Sequence, residues 1–216
     1  MSLHVWLAFF VASWLIALSP GPGAVLSMSH GLSYGVRRTS ATIAGLELGL
    51  AFILLVAGAG VGTLLIASAR AFMVVKLVGA AYLIWLGAQQ WRARVEPGGG
   101  DRVPDAQDAP DALSLRQRVL RGALTNATNP KGIVFMVAVL PQFIDPARPL
   151  AAQLAILLAT TIGVDVLVMH GYAWAAARLS AWLRSAHARR AQNRVFGGVL
   201  MGMGASLLLV GRIAKV

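Results

Sequence analysis

The first apolar segment of the chain is interrupted in its middle by two prolines and two glycines. Residues 5–18 are almost wholly apolar, residues 19–23 read Ser-Pro-Gly-Pro-Gly, and apolar residues resume at 24–28. Proline lacks a backbone N–H and its ring clashes with the preceding turn, so Pro20 and Pro22 prevent one continuous helix. Between two apolar arms, the pattern predicts a helix broken at membrane depth, where open backbone is tolerated only against protein or a wet cavity. A kink that serves packing alone is the alternative.

The composition is typical of a membrane protein. Hydrophobic residues make up 57% of the 216 residues and charged residues only 12%, whereas soluble proteins carry about 25% charged residues. Apolar runs long enough to cross about 30 Å of hydrocarbon recur along the sequence. The chain contains no cysteine, which excludes disulfides, thiol redox chemistry and cysteine metal sites. We therefore predict an all-α membrane protein, with a retained first span because no basic region precedes it.

Six apolar segments predict six transmembrane helices. Their expected limits are residues 4–34, 39–66, 71–92, 115–143, 150–178 and 194–212, with helices 1 and 4 broken at proline. Residues 96–112 hold three prolines, three glycines and five of the eight acidic residues, a composition that cannot bury enough apolar surface to fold. The expected units are residues 1–93, a flexible linker at 94–114, and residues 115–216, within one membrane domain.

Basic residues are distributed unevenly among the connections. The net charge of +11 is compatible with nucleic-acid binding or with arginine-rich cytoplasmic loops. Thirteen of the nineteen Lys and Arg residues lie in the connections after helices 1, 3 and 5, and only four lie on the opposite side. Because positive loops stay in the cytoplasm, this bias predicts a multi-pass protein with both termini outside the cytoplasm and the linker inside. It also argues against nucleic acid as a partner.

Cutting the chain at the linker leaves three predicted spans in each half. An odd number of spans makes the second half insert upside down relative to the first. Pro20 lies about 16 residues into its helix and Pro130 about 15 residues after Leu115. At about 1.5 Å per residue, both breaks fall near the middle of the bilayer. This pattern predicts two inverted three-helix repeats, as in transporters whose interrupted helices meet at a central site.

Ionisable residues inside the predicted spans are candidates for function, because they are costly in lipid. Glu47 and Asp165 lie at similar depths in different halves, where they can release protons in turn or hold a substrate ammonium. Lys131 follows the second break and can neutralise either carboxylate or meet a substrate carboxylate, and a structural ion pair is the alternative. Tyr172 shares a helix face with Asp165 and is expected to line the same interior. Lys76 is expected to reach the outer interface.

Pairs of glycines four residues apart predict close helix packing. They are Gly31/Gly35, Gly45/Gly49, Gly58/Gly62 and Gly198/Gly202. The histidines are scattered and no HExxH sequence occurs, so neither a metal nor a cofactor is predicted.

Several motifs resemble those of the LysE/RhtB amino-acid exporters. The similar stretches are residues 19–22 (SPGP), 79–87 (GAAYLIWLG), 121–131 (RGALTNATNPK), 140–143 (LPQF) and 193–198 (NRVFGG). The resemblance covers nearly the whole chain apart from the linker. It implies an exporter of amino acids or their derivatives in the bacterial inner membrane, driven by the proton gradient. Gly23 departs from the Asn or Asp that many members carry there, so the first break is expected to act through its backbone.

The predicted function is export of a small zwitterionic solute, such as an amino acid, by proton antiport. Carbonyls of the first break are expected to bind the ammonium, and Lys131 or exposed amides of the second break the carboxylate. The candidate substrate-binding residues are Ser19, Pro20, Gly21, Pro22, Gly23, Asn126, Asn129, Pro130, Lys131 and Tyr172, and the candidates for proton coupling are Glu47 and Asp165.

Two other functions compete with this prediction. A membrane-embedded enzyme acting on a lipid or small amphiphile would use Glu47, Asp165 and His170, clustered with a nucleophile or metal. A passive channel would need more polar residues than the sequence supplies. The predicted partners are the small substrate, protons, membrane lipid and, in a homo-oligomer, further copies of the chain.

Overall fold

The computed structural model describes residues 1–67, 69–92, 113–183 and 186–213. Within these ranges the protein contains helices and no strands, which confirms the predicted all-α class. Most of the predicted linker at 94–114 lies outside the described residues, and only residues 113 and 114 are inside them.

The first two helices flank the double-proline segment. Helix α1 (Leu3–Leu18) ends where Ser19 adopts an extended conformation, and helix α2 (Pro22–Ala67) begins with proline at its first position. Proline suits this position because the first N–H groups of a helix have no intrahelical partner.

Helix α2 bends sharply at Gly35, which divides it into two arms. Gly35 has φ +73° and ψ 163°, a backbone conformation that only glycine adopts without strain. The bend falls where the sequence predicted the end of the first span. We call residues 22–34 the first arm of α2 and residues 36–67 the second arm.

The second half begins with a capped helix and continues through irregular turns. Helix α4 (Leu115–Ala127) follows helix α3 (Ala69–Arg92) in the described chain and begins with a capping box, in which Ser114 and Gln117 bond to each other's backbone N–H. Helix α5 (Pro130–Val134) starts after two non-helical residues. A π-helical turn (Phe135–Val139) and a 3-10 turn (Leu140–Phe143) complete the segment.

The last two helices are longer than the sequence predicted. Helix α6 runs from Leu150 to Leu183 and helix α7 from Ala186 to Ile213. The predicted limits at 178 and 194 were wrong because they followed apolar character alone. Alanine, arginine and glutamine are strong helix formers, so the polar stretch around Arg190 and Arg194 continues the helix beyond its apolar part.

Helix α2 is the centre of the bundle, since it packs against both α4 and α6, while α3 pairs with α7. Its contacts with α4 are close because the glycines at this interface have no side chains. A Cβ atom on Gly45 would lie 2.0 Å from the carbonyl oxygen of Val119, and one on Gly122 would lie 2.2 Å from that of Thr42. The helix backbones therefore touch directly.

The predicted glycine pairs are only partly responsible for close packing. Gly31 meets the backbone of Ala173 in α6, but Gly35 and Gly202 have nothing within 4 Å of an added Cβ. Helix α7 instead approaches α3 through Gly197 and Gly204. Gly62 has no described side-chain surroundings.

Two helices are long and apolar enough to cross a membrane. They comprise Pro22–Gly60 within α2 and Leu150–Arg178 within α6, and two shorter apolar helices cover Leu3–Leu18 and Pro130–Phe143. Both counts refer to the described part of the chain alone.

We expect Gly122→Ala to destabilise the fold by about 1–3 kcal/mol, because the new methyl group overlaps the Thr42 carbonyl and forces α2 and α4 apart. Thermal unfolding in detergent micelles measures the change. Gly202→Ala is the matched control, since it also places alanine within a helix but in open space. Equal melting temperatures for the two variants would contradict the packing that we describe.

Candidate functional site

A cavity lies where the end of α1, the start of α2 and the α4–α5 connection meet α6. Its space not occupied by atoms is about 550 Å³, part of it open to solvent. Its walls include the backbone of the first interruption and polar side chains from the second half of the chain. The polar or predicted residues among them are Ser13, Ser19, Gly21, Gly23, Asn126, Asn129, Lys131, Thr161 and Asp165.

Lys131 bridges the two interruptions. Its ammonium donates hydrogen bonds to the carbonyl oxygens of Ile16 (3.0 Å) and Ser19 (2.5 Å). The last carbonyls of a helix have no intrahelical partner and carry the negative end of the helix dipole. The end of α1 is therefore a site for a cation, and Lys131 fills it.

Tyr172 also binds the end of α1. Its hydroxyl donates to the carbonyl oxygen of Leu18 at 2.5 Å, and its ring packs beside the apolar cluster that contains Ala17 and Met169. Tyr172 is not among the residues that line the cavity. The structure thus places it next to the site, where it holds α1 against α6.

The asparagines shape the second interruption. Asn129 caps α5, because its side-chain oxygen accepts from the backbone N–H of Lys131 at 3.1 Å. Asn126 donates from Nδ2 to the carbonyl oxygen of Leu46 at 2.9 Å, which joins α4 to the second arm of α2. A Cβ on Gly23 would lie 3.1 Å from the Asn126 side-chain oxygen. The missing side chain at Gly23 therefore leaves room for Asn126.

Two acidic side chains lie side by side at the cavity. Asp165 lines it and is 9% exposed, while Glu47 lies behind the lining and is 7% exposed. Asp165 is the acidic neighbour that interacts electrostatically with Glu47. Neither carboxylate oxygen of Glu47 has a hydrogen bond of normal distance and angle among the described residues. Two buried carboxyl groups at this distance are costly when both are ionised, because their charges repel each other.

The predicted site residues therefore fall into two groups. The cavity brings together Ser19, Gly21, Gly23, Asn126, Asn129, Lys131 and Asp165, whereas Pro20, Pro22, Pro130, Tyr172 and Glu47 do not form its lining. Pro22 and Pro130 are instead the first residues of α2 and α5.

His170 does not belong to the cavity. Its ring bonds to the Ser40 hydroxyl at 3.1 Å and to the carbonyl oxygen of Val166 at 2.8 Å. Within the described ranges, no three His, Asp or Glu side chains lie together as metal ligands would. The cluster of Glu47, Asp165 and His170 that a lipid enzyme would require is therefore not formed.

Sequence reasoning missed several buried polar residues. Thr161 lines the cavity one turn before Asp165, and its position four residues earlier on the same helix face was a usable signal. His30 bonds to the Thr42 hydroxyl at 2.6 Å between the two arms of α2. This pair depends on the bend at Gly35 and had no local signal. Lys76 was expected to reach the interface, but it is 5% exposed, so that prediction was wrong.

Comparison with known proteins identifies the kind of protein that carries this cavity. The profile of the LysE type translocators matches residues 14–211. The chain belongs to the LysE type translocator family. Translocators move a solute without reacting with it, so this family member is a membrane transporter and not an enzyme.

Curated relatives of this translocator align over most of their length. A homoserine/homoserine lactone efflux protein of Salmonella typhi is 44% identical over 208 residues, with 96% of this chain and 97% of the relative covered. A membrane protein of Vibrio cholerae without an assigned function is 43% identical, covering 96% and 98%. A leucine efflux protein of Klebsiella pneumoniae is 32% identical over 160 residues, covering 74% and 72%. No solved structure matches the chain.

We expect Asn129→Ala to lower stability by about 1 kcal/mol, because it removes the cap of α5. The same change should loosen the helix that carries Lys131. Thermal unfolding in detergent measures the loss, and Asn129→Ser is the matched control because serine also caps helices. If Asn129→Ser is as unstable as Asn129→Ala, the cap is not the important contact.

Proposed function

We propose that this translocator exports amino acids or small amino-acid derivatives across the bacterial inner membrane. The observation that carries the proposal is the cavity between the two helix interruptions, which offers cation-binding carbonyls on one side and polar donors on the other. The relatives named for efflux of homoserine, homoserine lactone and leucine support the substrate class.

The cavity contains groups that suit both ends of an amino acid. Carbonyl oxygens at the end of α1 are acceptors for an ammonium group. The side-chain amides of Asn126 and Asn129, together with the Lys131 ammonium, are donors for a carboxylate. We assign the substrate to this space.

The helix contacts support two inverted repeats, with residues 1–93 and 115–216 as the halves. In this arrangement α1 and the first arm of α2 form one interrupted span, and α4 and α5 form its counterpart. The second arm of α2 packs against α4 through Gly45 and Gly122, and the first arm packs against α6 through Gly31. The exchange of repeats takes α4 into α1 and the second arm of α2 into α6, so the α2–α4 contact corresponds to the contact between α1 and α6, and the α3–α7 pair corresponds to itself.

We propose that Glu47 and Asp165 couple export to proton entry. They lie in different repeats, interact with each other, and are buried beside the substrate cavity. Two like charges at short distance disfavour the state in which both are ionised. A proton on the pair can therefore alternate with the positive charge of a substrate amine, which is the exchange that antiport requires.

The proposed topology places both termini outside the cytoplasm and the linker inside. The basic ends of two connections meet in the structure, since Arg118 donates to the carbonyl oxygen of Arg38 at 2.6 Å. Arg118 also lies over the Tyr34 ring, 5.7 Å from its centroid. These contacts bring the bend of α2 next to the start of α4, which supports the proposal that both lie on the same side of the membrane.

Transport into inside-out membrane vesicles tests the function and its coupling. With the vesicle interior acidic, we expect gradient-dependent uptake of radiolabelled homoserine or leucine. Glu47→Gln and Asp165→Asn should lose at least tenfold of the gradient-driven rate, because neither side chain can then exchange a proton. Both variants should retain homoserine counterflow, which needs binding and movement but no proton gradient.

The outcomes separate the two parts of this proposal. If the wild-type protein transports no amino acid or amino-acid derivative, the exporter function is wrong. If both variants respond to the gradient like the wild type, only the coupling assignment is wrong. Lys76→Met, which changes a buried charge outside the cavity lining, controls for general damage to the fold.

The absence of cysteine gives a direct test of topology, because each introduced cysteine is the only one in the chain. We expect Ser2→Cys to react with a membrane-impermeant maleimide in spheroplasts, and Gly99→Cys in the linker to react only after the membrane is opened. The reverse pattern would contradict the proposed orientation.

A further inference from the structure

We propose that the Lys131 ammonium occupies the subsite of the substrate's amine, and that the incoming amine displaces it from the carbonyls of α1. This inference rests on the exporter function proposed above and assigns a second role to one of its residues. Lys131 is then a tethered competitor of the substrate rather than a fixed partner for the substrate's carboxylate.

The first support is the chemistry of the subsite. The oxygens of Ile16 and Ser19 both accept from one primary ammonium, and any other primary ammonium makes the same hydrogen bonds. Beside it, Gly21 presents no side chain, and a Cβ there would lie only 3.2 Å from Lys131 Nζ. The ammonium is therefore held by backbone groups in a space that small ligands can share.

The second support is the place to which the displaced ammonium can move. Asp165 lines the same cavity and interacts electrostatically with Lys131, yet the two are not ion-paired in this structure. A lysine side chain carries its ammonium on a flexible four-carbon stem, which lets the ammonium move between acceptors. Displaced from α1, the ammonium finds either Asp165 or a carboxylate of the substrate.

The third support comes from the compounds in the names of the relatives. Homoserine and leucine are zwitterions, whereas homoserine lactone carries an amine but no carboxylate. The group that all three share is a primary amine on the carbon atom next to a carbonyl group. A site that recognises this group needs acceptors for the amine first, and in this protein Lys131 holds such acceptors.

A tethered competitor weakens the apparent binding of the amine, because the amine can bind only while the carbonyls are free. The apparent dissociation constant equals the intrinsic one divided by the fraction of time that the carbonyls are free. If Lys131 occupies the carbonyls about nine-tenths of the time, removing it strengthens amine binding about tenfold. The exchange also means that no buried carbonyl at the end of α1 is left without a donor before, during or after binding.

Three probes and two variants test this inference by calorimetry on the purified protein. The probes are homoserine, 3-aminopropan-1-ol, which lacks the carboxylate, and 4-hydroxybutyrate, which lacks the amine. We expect Lys131→Met to bind 3-aminopropan-1-ol at least tenfold tighter than the wild type, and 4-hydroxybutyrate no tighter. Lys76→Met, the matched control, should bind all three like the wild type. Unchanged or weaker binding of 3-aminopropan-1-ol by Lys131→Met would overturn the inference.

A measurement on the wild-type protein covers the case in which Lys131→Met does not fold. The chain has three lysines, Lys76, Lys131 and Lys215, so isotope-labelled lysine gives three resolvable side-chain signals in NMR. Saturation with 3-aminopropan-1-ol should shift the Lys131 signal and leave that of Lys76 unchanged. An unmoved Lys131 signal at saturation would refute the displacement. Failure of the wild type to transport any amino acid or amino-acid derivative would instead refute the exporter function.

Discussion

Inside hydrocarbon, every backbone polar group must find a partner within the protein, and the end of α1 shows how this constraint shapes the whole site. The prolines end the helix, which leaves its last carbonyls without partners. Lys131 from α5 and Tyr172 from α6 satisfy three of these carbonyls, at Ile16, Leu18 and Ser19. Both elements of the second half therefore help to stabilise the interruption.

The glycine contacts make this reach possible. Since α2 touches α4 and α6 backbone to backbone, the elements that carry Asn126 and Asp165 lie close to the first interruption. Asn126 then bonds to the backbone of α2 at Leu46, next to Glu47. Close packing and the polar site are thus parts of one arrangement, in which small residues bring costly polar groups near enough to satisfy one another.

The sequence predicted the features that depend on neighbouring residues along the chain, such as the helix ends at proline. Proline sets where α1 stops and α2 and α5 start, and the rarity of charge in apolar segments pointed to Glu47, Lys131 and Asp165. The sequence did not predict the directions of the side chains. Lys131 turns towards α1, and His30 turns towards Thr42, through contacts between segments that do not follow each other directly in the sequence. The start of α7 was missed because its first residues are polar helix formers, so the apolar pattern begins later in the sequence than the helix does.

The bend at Gly35 has a consequence for motion. The two arms of α2 are joined by a single residue, Gly35. A Cβ added there would meet nothing within 4 Å, so the joint has free space around it. Residues 22–34 therefore form a short helical arm between two interruptions, one at Gly35 and one in the segment before Pro22. A tilt of this arm would move Gly23 and Ala24 of the cavity lining together with the His30–Thr42 contact, and would so link the middle of the protein to the side that carries Arg38.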